Sequence, residues 1–377
     1  MNIGYAFWGF LGDKKYDFKG NEISTPDGNA FYSWSIINAF REAGHEVFSL
    51  MKNRDLPGRI IKGENLFDAW CKDERNDAYG HLMDFNILSI SEKALCQIDL
   101  ILLEWRWLID GRNNIELEGS DAWQEDLKAR NEILRMAKLF NIPVVVFDLD
   151  YKLTEDDIKK YGIKYVVELG NKWKESSIIK SKKVFIPFDF NYINNFDIKM
   201  ECKNSLIYIG NRYERDWCID KYIPEDLDKC IIYGNWKEAG RDSEDRWKKL
   251  NFGKRLQTSE MYDAYSNSIA TILLAKKEYC EMEFMTARII EAVFYGTVPL
   301  FIKEYGQGTI MEYAGKYAEV LCVHSKDEVK EKVNILKNNM KVRKDIIEYL
   351  RKHLRFMDCK FFVNDVLNLV KGEYKYA

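Results

Sequence analysis

The sequence lacks any C-x-x-C pair: its eight cysteines, Cys71, Cys96, Cys202, Cys218, Cys230, Cys280, Cys322 and Cys359, are scattered. That scatter argues against a zinc site or a disulfide framework and fits reduced thiols packed as small hydrophobes in a cytoplasmic protein. Four histidines, His45, His81, His324 and His353, are too few and too dispersed for a metal cluster. The acidic pair Asp148-x-Asp150 stands alone, so no dedicated metal site is expected. No run approaches about 18 uncharged apolar residues, and Met1–Trp8 carries neither a basic lead nor a long apolar stretch, so neither a membrane span nor a signal peptide is expected. There is no excess of positive charge: 57 Lys and Arg against 60 Asp and Glu give a net charge of −3 and a pI near 6.0. That balance argues against a surface that clings to nucleic acid throughout. Gly4, Gly9 and Gly12 do not follow the G-x-G-x-x-G order, which weakens any dinucleotide-oxidoreductase reading. No internal repeat or low-complexity tract is present.

The chain is long and apolar, with 377 residues and 46% hydrophobic content. This exceeds what one ordinary core absorbs, and two domains are expected. Buried runs and helical patterns alternate: a strand over Ile3–Trp8, a helix over Ala30–Ala43, strands at His45–Leu50 and Leu100–Trp105, a helix within Trp123–Phe140, then strands at Val144–Phe147, Tyr165–Leu169 and Val184–Pro187. Residues 188–203 are polar, and the alternation restarts with strands at Leu206–Gly210, Ile231–Asn235, Ile269–Ala275, Val298–Ile302 and Ala318–Val323. Such alternation specifies α/β, doubly wound Rossmann-like domains. The expected division is one Rossmann-like domain over 1–195, with a C-terminal helix in 356–377 packing back on it, and a second over 196–355. Two such domains facing each other leave a cleft at the carboxyl ends of their strands, where ligands bind in this architecture.

The strand ends carry the chemistry. Thr286, Arg288 and Glu291 lie in or just before a short helix that stops at Gly296, ahead of the buried run Val298–Ile302. Arginine in a first helical turn suits a diphosphate, and a carboxylate one turn later suits ribose hydroxyls; a simple Arg288–Glu291 ion pair is the alternative. Gly210, Asn211, Arg212 and Arg215 follow one strand, and Gly234 and Asn235 end the next. With Arg288 the two arginines could converge on a pyrophosphate, or could pair with Glu214 and Asp216 instead. Val144–Phe147 ends in Asp148 and Asp150, either a general base with its neighbour or a pair of turn-capping residues. Glu104, Trp105 and Arg106, with Arg112, bring acidic, aromatic and basic groups to another strand end, suited to an acceptor unless the tryptophan merely packs. Lys52 and Arg54, beside Arg59 and Lys62, form a basic loop that is either solvated or in contact with phosphate.

These residues resemble a known family. Glu283-x7-Glu291 with Ala292–Pro299 is similar to the nucleotide-sugar motif of GT-B glycosyltransferases, and Ala43–Val47 to their second strand. Tyr208–Arg215, Tyr233–Asn235, Trp247–Lys254 and Phe284-x-Thr286-x-Arg288-x-x-Glu291 resemble bacteriophage DNA β-glucosyltransferases, which transfer glucose from UDP-glucose to hydroxymethylated cytosine in double-stranded DNA. The resemblance implies that the arginines hold diphosphate, that Glu291 holds ribose, and that Gly253, Lys254, Arg255 and Leu256 read the uracil. It also implies a base after a strand-end Phe, here Asp148 or Asp150, with an offset one residue different from the family's.

The expected activity is inverting transfer from a UDP-sugar to a hydroxymethylated pyrimidine in DNA, by a monomer that engages no membrane. No cofactor is tightly bound, and Mg2+ or Mn2+ would act only as a stimulant. A bacterial surface-glycan transferase with a saccharide or lipid-linked acceptor, and a non-catalytic nucleotide-sugar-binding protein, are the alternatives.

Overall fold

The computed structural model describes residues 1–6, 29–50, 86–87, 98–105, 121–190, 197–236, 246–256 and 258–371. The chain divides into two compact units, Met1–Asp189 with Met357–Ala377, and Phe190–Phe356. In the first, strands β1 (Asn2–Ala6), β2 (Glu46–Ser49), β3 (Asn86–Ile87), β4 (Leu100–Glu104), β5 (Val144–Asp148), β6 (Tyr165–Glu168) and β7 (Lys180–Lys183) align as β3-β2-β1-β4-β5-β6-β7. In the second, β8 (Asn204–Ile209), β9 (Cys230–Tyr233), β10 (Asn251–Gly253), β11 (Ser268–Leu273), β12 (Val298–Ile302) and β13 (Cys322–Val323) align as β10-β9-β8-β11-β12-β13.

Every ladder is parallel. In both sheets the order runs outward from the first strand and then jumps back across it. This creates one switch point between β1 and β4 and another between β8 and β11, with a crevice at the carboxyl ends of those strands. Parallel strands covered on both faces need unbroken apolar runs, and β4, β11 and β12 are buried along their whole length.

Local sequence sets the connections. The helix Glu155–Tyr161 begins with a reciprocal capping box between Thr154 and Asp157 and ends at Gly162 with φ 66°. The final helix, Cys359–Leu369, returns to the first unit. It packs on the helix Asn29–Glu42 and sets Phe362 5.1 Å from Phe147 of β5. Backbone bonds from Phe188 N to Met357 O and from Cys359 N to Phe188 O fix its start.

Two expected strands differ. The edge strand of the first sheet is Lys180–Lys183 rather than Val184–Pro187, because its alternating exposed lysines give no apolar signal while the apolar residues that follow leave the ladder. Ala318–Val323 contains a helical turn, Ala318–Leu321, and only Cys322–Val323 joins the sheet. Among the described residues no helix is long and apolar enough to cross a membrane.

Candidate functional site

In the second unit, β8, β9 and β10 each reach a glycine at the carboxyl edge: Gly210, Gly234 and Gly253. Ile209 is in register with Tyr233, and Tyr233 with Gly253, so the glycines form a row beside the switch point. A Cβ at Gly210 would lie 2.4 Å from the Tyr208 hydroxyl and 2.7 Å from Arg288 Nη2. Gly234 has φ +139°, and a Cβ there would lie 2.2 Å from the Gly210 carbonyl oxygen. Only bare backbone fits at these two turns. Asn211 Oδ1 accepts from Asn235 N at 3.1 Å and Trp236 Nε1 donates to Gly210 O at 2.8 Å, which ties the first two strand ends together.

Arg288 opens the helix Arg288–Phe294 and reaches back under this row. Its Nε donates to the Ile209 carbonyl, Nη1 donates to Thr286 Oγ1 at 3.3 Å, and the guanidinium carbon lies 5.7 Å from the Tyr208 ring centre. No ion pair joins it to Glu291. Glu291 Oε2 instead accepts from the Tyr265 hydroxyl at 3.4 Å, and burial pushes the Glu291 carboxyl upward while Arg288 opposes the shift.

Arg215 is buried. Its Nη1 donates to Asn211 O and Tyr213 O, both at 3.2 Å, while Nε has no hydrogen-bond partner. Among the described residues no carboxylate pairs with Arg215 or Arg288. Arg212 behaves differently: its Nε and Nη2 bind Asp216 at 2.8 and 2.6 Å, the ion-pair alternative that the sequence had left open. Lys254 pairs with Glu260, and Leu256 is packed into an apolar cluster with Tyr265 and Ile207, so its side chain faces the core and only its backbone is left to meet a ligand.

Two tyrosines escaped the sequence reading. The hydroxyls of Tyr208 and Tyr305 are buried without hydrogen-bond partners, as is the Thr309 hydroxyl. Burial pushes the Tyr305 phenol far upward, while Arg288 and Arg215 pull it down, so this hydroxyl lies within the field of both guanidiniums. Tyr208 opens the segment Tyr208–Arg215 that carries the resemblance but was given no role of its own, and Tyr305, in a short turn after β12, lies in no motif.

In the first unit, Asp148 is wholly buried at the end of β5. Its Oδ1 accepts from Lys152 N at 2.9 Å and Leu153 N at 3.2 Å, and its Oδ2 accepts from Trp173 Nε1 at 3.2 Å. Its carboxyl is thus taken up by the turn, the capping alternative, and Asp150, half-buried in that turn, is the more exposed of the two aspartates. Trp105 takes the packing alternative: it lies in the core against Tyr161 with Arg130 4.6 Å above its ring. Glu104 is buried at the switch point and accepts from the Tyr5 hydroxyl at 2.5 Å. Lys52, Arg54, Arg106 and Arg112 lie outside the described residues. Among the described residues no group of three or more His, Cys, Asp or Glu side chains is placed to hold a metal ion.

No family model matches the sequence, and no curated protein matches it in sequence. Solved structures do match. Bacteriophage T4 β-glucosyltransferase with UDP-glucose aligns at TM-score 0.62 and 15% identity, over 98% of this chain and all of that one. It has also been solved with UDP and Mn2+. HepE of Anabaena, in complex with UDP-glucose, aligns at TM-score 0.54 and 11% identity over 98% of this chain and 99% of that one. An O-GlcNAc transferase of Thermobaculum terrenum aligns at 0.52 and 12% identity, over 99% of this chain and 67% of that one. The likeness establishes the fold as that of GT-B glycosyltransferases, with two Rossmann-like units.

Proposed function

We propose that this chain is a glycosyltransferase that binds a UDP-sugar at the carboxyl edge of β8–β11 and moves the sugar to a hydroxymethylated pyrimidine in double-stranded DNA. One observation carries the donor half. Arg215 and Arg288 are held without a carboxylate partner beside a row of close-packed glycines, next to the buried hydroxyls of Tyr208 and Tyr305. Arg215, buried with no ion-pair partner, is costly to hold, and a diphosphate supplies the missing anion; Arg288, half-buried and in the field of Glu291, would be a second donor to it. Once bound, the same guanidiniums stabilise the departing UDP without rearrangement. Gly210, Asn211, Gly234 and Asn235 would let backbone approach the phosphates, with Arg212 in reserve while it remains paired to Asp216. Thr286 steadies Arg288, Glu291 would accept the ribose hydroxyls, and the backbone of Gly253–Leu256 would meet the uracil.

Asp150 would take the proton from the acceptor hydroxyl as its oxygen attacks the anomeric carbon, so that transfer proceeds with inversion. Glu104 on the same unit, with Arg106, Arg112, Lys52 and Arg54, would line the acceptor side. A divalent cation would enter as a counter-ion carried by the diphosphate, because among the described residues these strand ends offer guanidiniums and amides rather than a carboxylate cage. The chain would act as a cytoplasmic monomer.

The DNA acceptor is supported by the likeness to a DNA-modifying β-glucosyltransferase. A saccharide acceptor is the competing reading, favoured by the net charge of −3. The deciding experiment is mass spectrometry of nucleosides from hydroxymethylcytosine- and hydroxymethyluracil-containing DNA after incubation with a panel of UDP-sugars. A hexose or pentose increment is expected on one base. UDP-sugar hydrolysis without any increment would move the acceptor to a glycan, and binding without hydrolysis or transfer would leave a nucleotide-sugar-binding protein.

A further inference from the structure

The carboxyl ends of β5 and β6 are joined by contacts that the reaction outlined above does not use. Asp148 and Glu168 are register partners, and both are buried. Asp148 Oδ1 gathers the amides of Lys152 and Leu153, while its Oδ2 takes the Trp173 indole. Glu168 Oε1 accepts from the Trp173 amide at 2.8 Å, and Ser181 Oγ donates to the Trp173 carbonyl at 2.9 Å. Lys172 then crosses back from the β6 side. Its Nζ donates to Tyr151 O at 3.0 Å and to Leu153 O at 2.6 Å, and lies 4.0 Å from Asp148 Oδ2.

The turn after β5 is therefore gripped twice, by its amides through Asp148 and by its carbonyls through Lys172. Asp150 lies in the middle of that turn. Its neighbour Tyr151 has φ +57°, a left-handed conformation that a non-glycine residue keeps only when its surroundings enforce it. Beyond the turn, the Thr154–Asp157 capping box fixes the chain again. Holding two buried carboxyls beside one ammonium is costly for a fold, and burial pushes Asp148 up to about 6 and Glu168 to about 7.

We propose that Asp148 and Lys172 are positioning residues that hold the turn Leu149–Leu153 so that Asp150 faces the acceptor hydroxyl. The proposal rests on the reading of Asp150 as the base. A base must lie within hydrogen-bond reach of its proton, and displacement by about 1 Å can cost 10²-fold in rate. A clamp that only stabilised the unit would leave the ratio of turnover to donor affinity unchanged.

The test compares wild type, Lys172→Met, Lys172→Arg and Asp150→Asn. Amide exchange read by mass spectrometry reports the turn, and transfer from UDP-glucose to hydroxymethylcytosine DNA reports the chemistry, with UDP-glucose hydrolysis as the rate if no transfer occurs. In Lys172→Met, exchange at Lys152 and Leu153 should quicken while β5 stays protected. Its kcat should fall roughly 10–100-fold with KM for UDP-glucose within about twofold, and Lys172→Arg should recover most of the loss. Unchanged exchange overturns the clamp. Faster exchange with unchanged kcat, or equal loss of kcat and UDP affinity without rescue by arginine, overturns the positioning role. An inactive Asp150→Asn beside a fully active Lys172→Met sinks this proposal alone, whereas a fully active Asp150→Asn sinks the base assignment beneath it.

Discussion

Replacing Arg215 with methionine separates a binding cation from a structural brace. In the unliganded protein the change has two effects of opposite sign. It removes a charge whose burial costs up to several kcal/mol. It also deprives the carbonyls of Asn211 and Tyr213 of donors at 3.2 Å, worth about 1 kcal/mol each. The two should nearly cancel, so the unliganded protein should lose no more than about 1 kcal/mol.

Binding has no such compensation. Losing a charge-assisted bond to phosphate costs about 1.5–3 kcal/mol, or roughly 10–150-fold in UDP affinity. At UDP concentrations roughly 100 times the wild-type Kd, ligand stabilisation is about 2.7 kcal/mol, and a 30-fold weaker site retains about 0.9 kcal/mol. For a domain of this size 1 kcal/mol shifts Tm by about 2–4 °C, so the UDP-dependent rise should shrink from about 5–11 °C to about 2–4 °C. Differential scanning fluorimetry with and without UDP, checked by titration calorimetry, reads both quantities. A variant whose unliganded Tm collapses while its UDP-dependent rise survives would refute the reasoning and make Arg215 a brace.

Gly210→Ala should weaken UDP binding at least about tenfold, measured by calorimetry, because the new methyl would displace either the Tyr208 hydroxyl or Arg288 Nη2. Glu291→Gln should reduce UDP affinity more than 2′-deoxy-UDP affinity, since the deoxy ligand keeps only the 3′-hydroxyl for the carboxylate to accept from; equal losses would remove Glu291 from the ribose. Glu168 is pushed to about 7 by burial, above its unfolded value, so its contribution to stability is present at low pH and is lost as pH rises through about 7. Glu168→Gln should therefore flatten the pH dependence of Tm between about pH 5 and 8 and raise Tm at the upper end, by up to about 3 kcal/mol of stability; a wild-type Tm that climbs across this range would reverse the assignment.

The fold was legible wherever a strand is central. Leu100–Glu104, Val144–Asp148 and Val298–Ile302 are parallel strands buried on both faces and read as unbroken apolar runs. Edge strands give no such signal: Lys180–Lys183 is half solvated and Asn251–Gly253 is only three residues long. The helix Glu155–Tyr161 had a readable start in its capping box, but it is too short to show a helical period. At the candidate site, sequence identified the residue types at strand ends but not their commitments. Arg212 and Arg215 look equivalent in the sequence, yet only Arg212, in the turn that precedes the helix Asp216–Tyr222, lies four residues before an aspartate, and it takes that partner. Asp148 and Asp150 are separated only by depth, a property of where β5 ends within the sheet. Tyr305 carries no pattern at all, since its role follows from lying near two arginines from other segments.

The two strand edges hold buried charge of opposite sign, and that contrast constrains function more than any single contact. In the second unit the carboxyl edge keeps Arg215 buried and Arg288 half-buried, neither of them in an ion pair among the described residues; in the first it keeps Asp148, Glu168 and Glu104 with Lys172 as the ammonium at the β5–β6 end. Replacing buried charges with apolar residues of similar volume often stabilises a protein, so stability alone gives no reason to retain either arrangement. A diphosphate would be stabilised at the first edge as its bond to the sugar breaks. A turn fixed by buried acids and one lysine at the other would present a partly exposed aspartate where a hydroxyl proton must leave. The second unit carries a cost in the unliganded state that a bound diphosphate would offset, the first carries one that fixes the turn bearing Asp150, and for that reason Arg215 and Lys172 are the substitutions that test the reading from its two ends.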